Sequence, residues 1–154
     1  MTVEGITHVG LNVLSVREAE SFYVELFQME VVLRESELAD GWATVPHGAS
    51  WEEIEAAGVD VGLSSLRSGG LRIALQPGNA TPGLLTHLGL HVDDGELERV
   101  RDRVVRLGCP IVADRPGRLM FEDPYGVGWE LATTEEVRSS GEALGRWVEL
   151  SSGG

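Results

Sequence analysis

Residues 7–13 (Thr-His-Val-Gly-Leu-Asn-Val) and 86–92 (Thr-His-Leu-Gly-Leu-His-Val) are near copies lying 79 residues apart, identical at five of seven positions. A repeat at that distance means that one supersecondary unit has been duplicated, which excludes most single-unit folds. In each copy, apolar and small or polar residues alternate, the period of a strand. Each copy also carries a histidine at the same place, so two equivalent strands are set to aim imidazoles at equivalent positions.

The copies continue alike. Ser15-Val16-Arg17-Glu18 reads as a capping box. Val16, Ala19, Phe22, Tyr23, Leu26 and Phe27 then recur at helical spacing. After the second copy, Asp94 is a suitable N-cap, Leu97, Val100, Val104 and Leu107 form the stripe, and Gly108 ends it. Extended stretches follow at 31–35, 59–66 and 71–76 in the first half, and at 111–113, 119–122 and 128–132 in the second. Each half therefore reads βαβββ, with a junction at Pro77-Gly78-Asn79.

From His8 to Ala74 is 66 positions and from His87 to Glu130 is 43, so the first half holds about 23 extra residues, roughly 36–58. Ser50-Trp51-Glu52-Glu53 is a second capping box and Gly58 a stop, so a short helix is expected in this insertion. The division expected is a first module over 1–79, a second over 80–134, and a C-terminal helix and tail over 135–154, with fraying at 151–154.

Composition narrows the function classes. The formal net charge of -13 argues against nucleic-acid or anionic-membrane binding, which require a cationic face. All 12 cationic residues are arginine, so a lysine nucleophile, a Schiff base and a P-loop lysine are excluded. A single cysteine, Cys109, allows no internal disulfide and fits a reducing, cytoplasmic setting. No signal peptide or membrane-spanning stretch is read from the ends, so no membrane partner is expected.

Alternation places His8, Gly10 and Asn12 on one face of the first strand, and His87, Gly89 and His91 on the matching face of its duplicate. The glycines leave room beside the histidines. On the last strand Glu130 lies between Trp129 and Leu131. A carboxylate in the middle of an apolar strand must be paired or metal-bound, because burying it alone is costly.

Two βαβββ modules, each opened by Thr-His, together with Phe121-Glu122-Asp123-Pro124-Tyr125-Gly126 leading into Trp129-Glu130-Leu131, resemble the vicinal oxygen chelate superfamily. This is the glyoxalase, bleomycin-resistance and extradiol-dioxygenase group. The resemblance covers residues 5 to about 133. It implies an α+β fold in which two tandem modules form a cup-shaped mixed β-sheet with helices outside and a divalent metal within. It implies His8, His87 and Glu130 as ligands, with Ala74 at the fourth position, where glyoxalase I and methylmalonyl-CoA epimerase usually carry Glu or Gln. Alanine cannot bind metal. Two imidazoles and one carboxylate leave open positions, a set similar to Fe(II) extradiol dioxygenases and Mn(II) fosfomycin-resistance thiol transferases. Fe2+ or Mn2+ is therefore favoured, with Zn2+ and Ni2+ also compatible.

His91, about 13 Å beyond His87 on the same strand face, is either an acid–base group near the cup mouth or a solvent-facing residue. Asn12, Trp42, His47, Trp51, Ala74 and Gln76 are candidates for lining the substrate site, and Gln76 can replace the missing ligand if the register slips. The tryptophans can equally pack the insertion on the sheet. Ring-cleaving relatives usually place a tyrosine three residues before the Asp-Pro turn; here Met120 stands there.

The expectation is a metal-dependent enzyme, first of the dioxygenase type, acting on a small oxygen-rich molecule. Lyase, isomerase and thiol-transferase chemistry come next. A non-catalytic antibiotic- or natural-product-binding resistance protein is the reading from another class. A homodimer is expected, as is common in the group, in some members with modules swapped.

Overall fold

The structure, a computed structural model, describes residues 8–39, 41–79 and 87–133. Thr7, Thr86 and the expected C-terminal helix lie outside the described residues. The first module comprises β1 (Val9–Val13), α1 (Val16–Phe27), β2 (Glu30–Leu38), β3 (Gly41–Thr44), α2 (Trp51–Ala56), β4 (Leu63–Ser68) and β5 (Leu71–Pro77). The second comprises β6 (Leu88–His91), α3 (Asp94–Arg106), β7 (Ile111–Arg115), β8 (Arg118–Glu122) and β9 (Gly128–Ala132). The order βαβββ occurs twice, as the repeat implied. The insertion contributes more than a helix: it lengthens β2 and adds β3 as a hairpin on the sheet edge.

Caps define the helices. The Ser15 hydroxyl accepts from the Glu18 N–H at 3.2 Å and starts α1, and Gln28 ends it with a left-handed φ of 51°. Both halves of the Ser50–Glu53 capping box form at α2. At α3 the cap is Asp93, one residue earlier than expected, and its carboxylate accepts from the Glu96 N–H at 2.7 Å. Asp94 is then the first helical residue, where a negative charge suits the helix dipole.

The strands form two sheets, ordered β1-β5-β4-β2-β3 and β6-β9-β8-β7. In each, the first strand runs parallel to the last and forms an edge. Each module contributes one sheet, as two tandem modules imply, with no strand pairing between the two among the described residues. The α1 helix joins them. It packs on β4 and β5, while Tyr23 and Phe27 meet Trp129 of the second sheet at ring-centroid distances of 6.2 and 4.8 Å. A single apolar cluster therefore spans both modules. Truncating a buried aromatic such as Trp129 costs about 3–5 kcal/mol.

Asp123 completes the joint. Its Oδ1 accepts from the N–H groups of Tyr125 and Val127 at 2.9 and 3.0 Å, which closes the Asp-Pro-Tyr-Gly turn. Its Oδ2 accepts from the Tyr23 hydroxyl at 2.5 Å and the Trp129 indole at 2.8 Å. The motif is thus a buried clamp between the helix of one module and the last strand of the other. No helix among the described residues is long and apolar enough to cross a membrane.

Candidate metal centre

Because Trp129 faces α1, the next residue on β9, Glu130, faces away from the shared core. The same logic turns Gly10 and Asn12 away from buried Leu11 and Val13. Each sheet thus has a helix-covered face and an open face. The modules repeat one register: Gly10 pairs with Ala74 in β1–β5, and Gly89 pairs with Glu130 in β6–β9. Ala74 therefore occupies the place in the first sheet that Glu130 holds in the second.

Glu130 is only 5% exposed. Its Oε2 lies 3.3 Å from Nε2 of His87, the residue just before β6. Its Oε1 lies 2.5 Å from Arg118 Nη2, close enough for charge pairing but misaligned for a hydrogen bond, so that oxygen keeps an unused lone pair. Two donors on one ion at about 2.1 Å each stand roughly 3.0–3.4 Å apart. The 3.3 Å between His87 and Glu130 matches. A Cβ added to Gly89, directly across from Glu130, would meet nothing within 4 Å. The carboxylate is buried, stands beside an imidazole nitrogen and opens onto unfilled space: this nitrogen and oxygen donor pair fits a divalent ion.

The third expected donor is elsewhere. Among the described residues, no three His, Cys, Asp or Glu side chains converge to hold a metal. His8, at the foot of β1, borders a cavity of about 450 Å³ between the edge strands, together with His91, Gly89 and the Gly69-Gly70 turn. His91 Nε2 lies 3.3 Å from the Thr133 carbonyl. The structure thus brings His87 to Glu130, and His8 towards His91.

The other candidates are dispersed. Asn12 and Gln76 are exposed register partners on the open face of the first sheet, and Ala74 beside them is buried. Trp42 on β3 is half exposed and covers Gly62. His47 lines a separate cavity of about 250 Å³ with Arg34 and Val45. Trp51 is committed to the helix layer: its indole donates to Glu20 Oε1 at 2.8 Å and Arg34 stacks over its ring. The buried Glu20 also pairs with Arg34 at 2.5 Å and accepts from Ser64 at 2.6 Å. Burial pushes the Glu20 carboxyl up, but these hydrogen bonds and the Arg34 charge outweigh it and hold the group below its usual range.

Arg118 beside Glu130 was missed by sequence reading. Period-2 alternation puts it on the face of Met120, but linking that face to Glu130 requires the β8–β9 register, where Met120 pairs with Glu130.

A chain of two βαβββ modules, with parallel first and last strands and a His–carboxylate pair on an open sheet face, is a paired-module α+β protein. The Glyoxalase/Bleomycin resistance protein/Dioxygenase superfamily profile matches residues 5–131, and the chain belongs to this superfamily. Among solved structures it is similar to the fosfomycin resistance protein FosX from Mesorhizobium loti, at 21% identity and a TM-score of 0.64, over 94% of this chain and 100% of that one. It is also similar to FosX from Listeria monocytogenes, at 16% identity and a TM-score of 0.65, over 95% of this chain and 100% of that one. A further Listeria FosX structure, a mutant at 17% identity and a TM-score of 0.62, covers 87% of this chain and 95% of that one and holds Mn(II) and 1S,2S-dihydroxypropylphosphonic acid. These likenesses describe the fold. Curated proteins give no match.

Proposed function

We propose that the protein is a divalent-metal-dependent enzyme acting on a small oxygen-rich molecule, with His87 and Glu130 of one copy and His8 of a second copy as ligands. The observation that carries this reading is the buried Glu130 carboxylate held 3.3 Å from His87 on a face that Gly89 keeps bare. A homodimer follows from the same reasoning. The open faces point away from the core of the chain, and no third donor joins the pair among the described residues. His8 is the equivalent of His87 in the duplicated strand, one residue before β1 as His87 is one before β6. The Mn(II)-bound FosX neighbour supports a divalent ion in this fold.

The ion, when bound, supplies Lewis acidity that polarises a substrate oxygen. Glu130 and His87 hold it, and burial of Glu130 keeps the carboxylate away from competing water. Arg118 adds a positive charge beside the reacting region. Met120, directly across from Glu130, has no proton to give, so tyrosine-assisted ring cleavage lacks its acid. Addition to, or isomerisation of, a metal-polarised substrate is therefore the reaction class supported best. Oxygen-dependent dioxygenase chemistry is the second reading, carried by the two-histidine, one-carboxylate set.

Complementation tests both ion and dimer. Chains carrying His8→Ala and Glu130→Ala are each expected to lose Mn(II) binding. When they are co-expressed, mixed dimers keep one intact site and recover part of it. No recovery, with intact binding in the wild type, places all three ligands in one chain. No Mn(II) binding in the wild type overturns the metal reading.

A further inference from the structure

On β7 and β8, Asp114 pairs with Leu119, which is fully buried, and the Asp114 carboxylate accepts from Arg101 of α3 at 2.9–3.1 Å. Asp114 and Leu119 thus mark the helix-covered side. Their neighbours Ala113, Arg115, Arg118 and Met120 lie on the open side, the side of Glu130. These four line a cavity of about 200 Å³. Two of its lining residues are arginines and two are apolar.

Arg115 and Arg118 stand directly opposite each other in the β7–β8 register. Like charges in that relation repel. Glu130 offsets one of them, at 2.5 Å from Arg118. Glu122, on the same face of β8, is four residues from Arg118, about 13 Å along the strand. Elsewhere the chain matches its arginines closely: of the ten described, eight contact a carboxylate, the exceptions being Arg72 and Arg115. In a protein of net charge -13, two arginines face each other across this cavity, and Arg115 forms no ion pair with a carboxylate among the described residues.

We infer that this cavity is the subsite for the anionic group of the substrate, a carboxylate, phosphate or phosphonate, held by Arg115 and Arg118. Guanidinium forks match the paired oxygens of such groups and hold them bidentately. Ala113 and Met120 contact the short carbon portion. Since Arg118 touches Glu130, and Met120 pairs with it, the rest of the ligand runs towards Glu130 and His87. This inference rests on the proposed site and names the substrate class that it takes. It also sets a competition: without metal, the Glu130 carboxylate repels the incoming anion and shares Arg118 with it.

The test is binding of inorganic phosphate, methylphosphonate and acetate to the chelator-treated full-length chain by calorimetry, with Mn(II) binding measured on the same samples. At least one of the three is expected to bind saturably to the wild type. Its affinity should fall about tenfold or more in Arg115→Ala, recover in part in Arg115→Lys, and be unchanged in Arg72→Ala. Glu130→Gln should bind that anion several-fold more tightly while losing Mn(II). Failure of all three probes to bind the wild type, equal affinity in Arg115→Ala, or an equal loss in Arg72→Ala would overturn the inference. Wild-type protein that binds the anion as expected yet binds no Mn(II) would retain this subsite and sink the metal reading alone.

Discussion

Asp123→Asn is a nearly isosteric change at the joint between the modules, and its cost can be worked from four bonds. Asn keeps one carbonyl oxygen, which at the Oδ1 position still accepts from Tyr125 and Val127. The amide nitrogen then faces Tyr23 and Trp129, both 0% exposed. The Tyr23 hydroxyl can rotate and accept, losing the charge-assisted bond at a cost of about 1 kcal/mol. The Trp129 indole N–H meets another donor where no water reaches, which costs about 1–3 kcal/mol. The total, about 2–4 kcal/mol, is a large share of the 5–15 kcal/mol that stabilises a typical domain. Urea unfolding followed by tryptophan fluorescence and far-UV circular dichroism should show the midpoint falling by about 1–2 M. Because Asp123 binds α1 to β9, the two transitions should also cease to coincide. Tyr23→Phe should cost less alone and add little to Asp123→Asn, since both remove the same bond. A loss below about 0.5 kcal/mol in Asp123→Asn would refute the clamp.

Three further outcomes follow from the same contacts. Burial and the neighbouring Asp123 charge hold the Tyr23 hydroxyl far above its ordinary value of 10.0, so the folded state keeps its proton and stability is lost as pH rises above 10. Burial pushes Tyr125 up to about 12, so tyrosinate absorbance should be absent near pH 10 while the fold is intact; ionisation near pH 10 in folded protein would contradict this. Glu20 sits below its ordinary 4.5, so its stabilisation is present above that pH and lost as pH falls through the folded value. Glu20→Gln should therefore be less stable by about 1–3 kcal/mol at pH 7, with the difference shrinking as pH falls below 4.5 in urea titrations; a constant difference would oppose the assignment. Gly89→Leu places a side chain in open space across from Glu130, so melting should be little changed while Mn(II) affinity drops at least tenfold; unchanged affinity would show that the face is not the site.

The parts of this fold visible in the sequence are those fixed by local chemistry. Ser15, Ser50 and Gly108 mark helix ends because caps satisfy orphan backbone groups within a few residues. The shift from Asp94 to Asp93 at α3 reflects two adjacent carboxylates able to fill the same role. The duplicated His-x-Gly strand, and the alignment of Ala74 with Glu130, reappear as identical strand registers. What the sequence hid is non-local. The hairpin of β2 and β3 is marked by Asp40-Gly41, a turn dipeptide, but exposed Trp42 breaks the alternation that would identify β3 as a strand. Asp123 reads as a turn residue; that it also grips Tyr23, 100 positions away, comes from packing. Arg118 is anonymous in the sequence and becomes part of the site only through the β8–β9 register.

The central claim is that His87 and Glu130 hold a divalent ion. Titration of chelator-stripped protein with Mn(II), followed by electron paramagnetic resonance, tests it most directly. The account predicts one tightly bound ion per chain in the wild type, and loss of that binding in both His87→Ala and Glu130→Gln, with the fold intact by circular dichroism. Binding that is absent from the wild type, or that survives both substitutions, would contradict it.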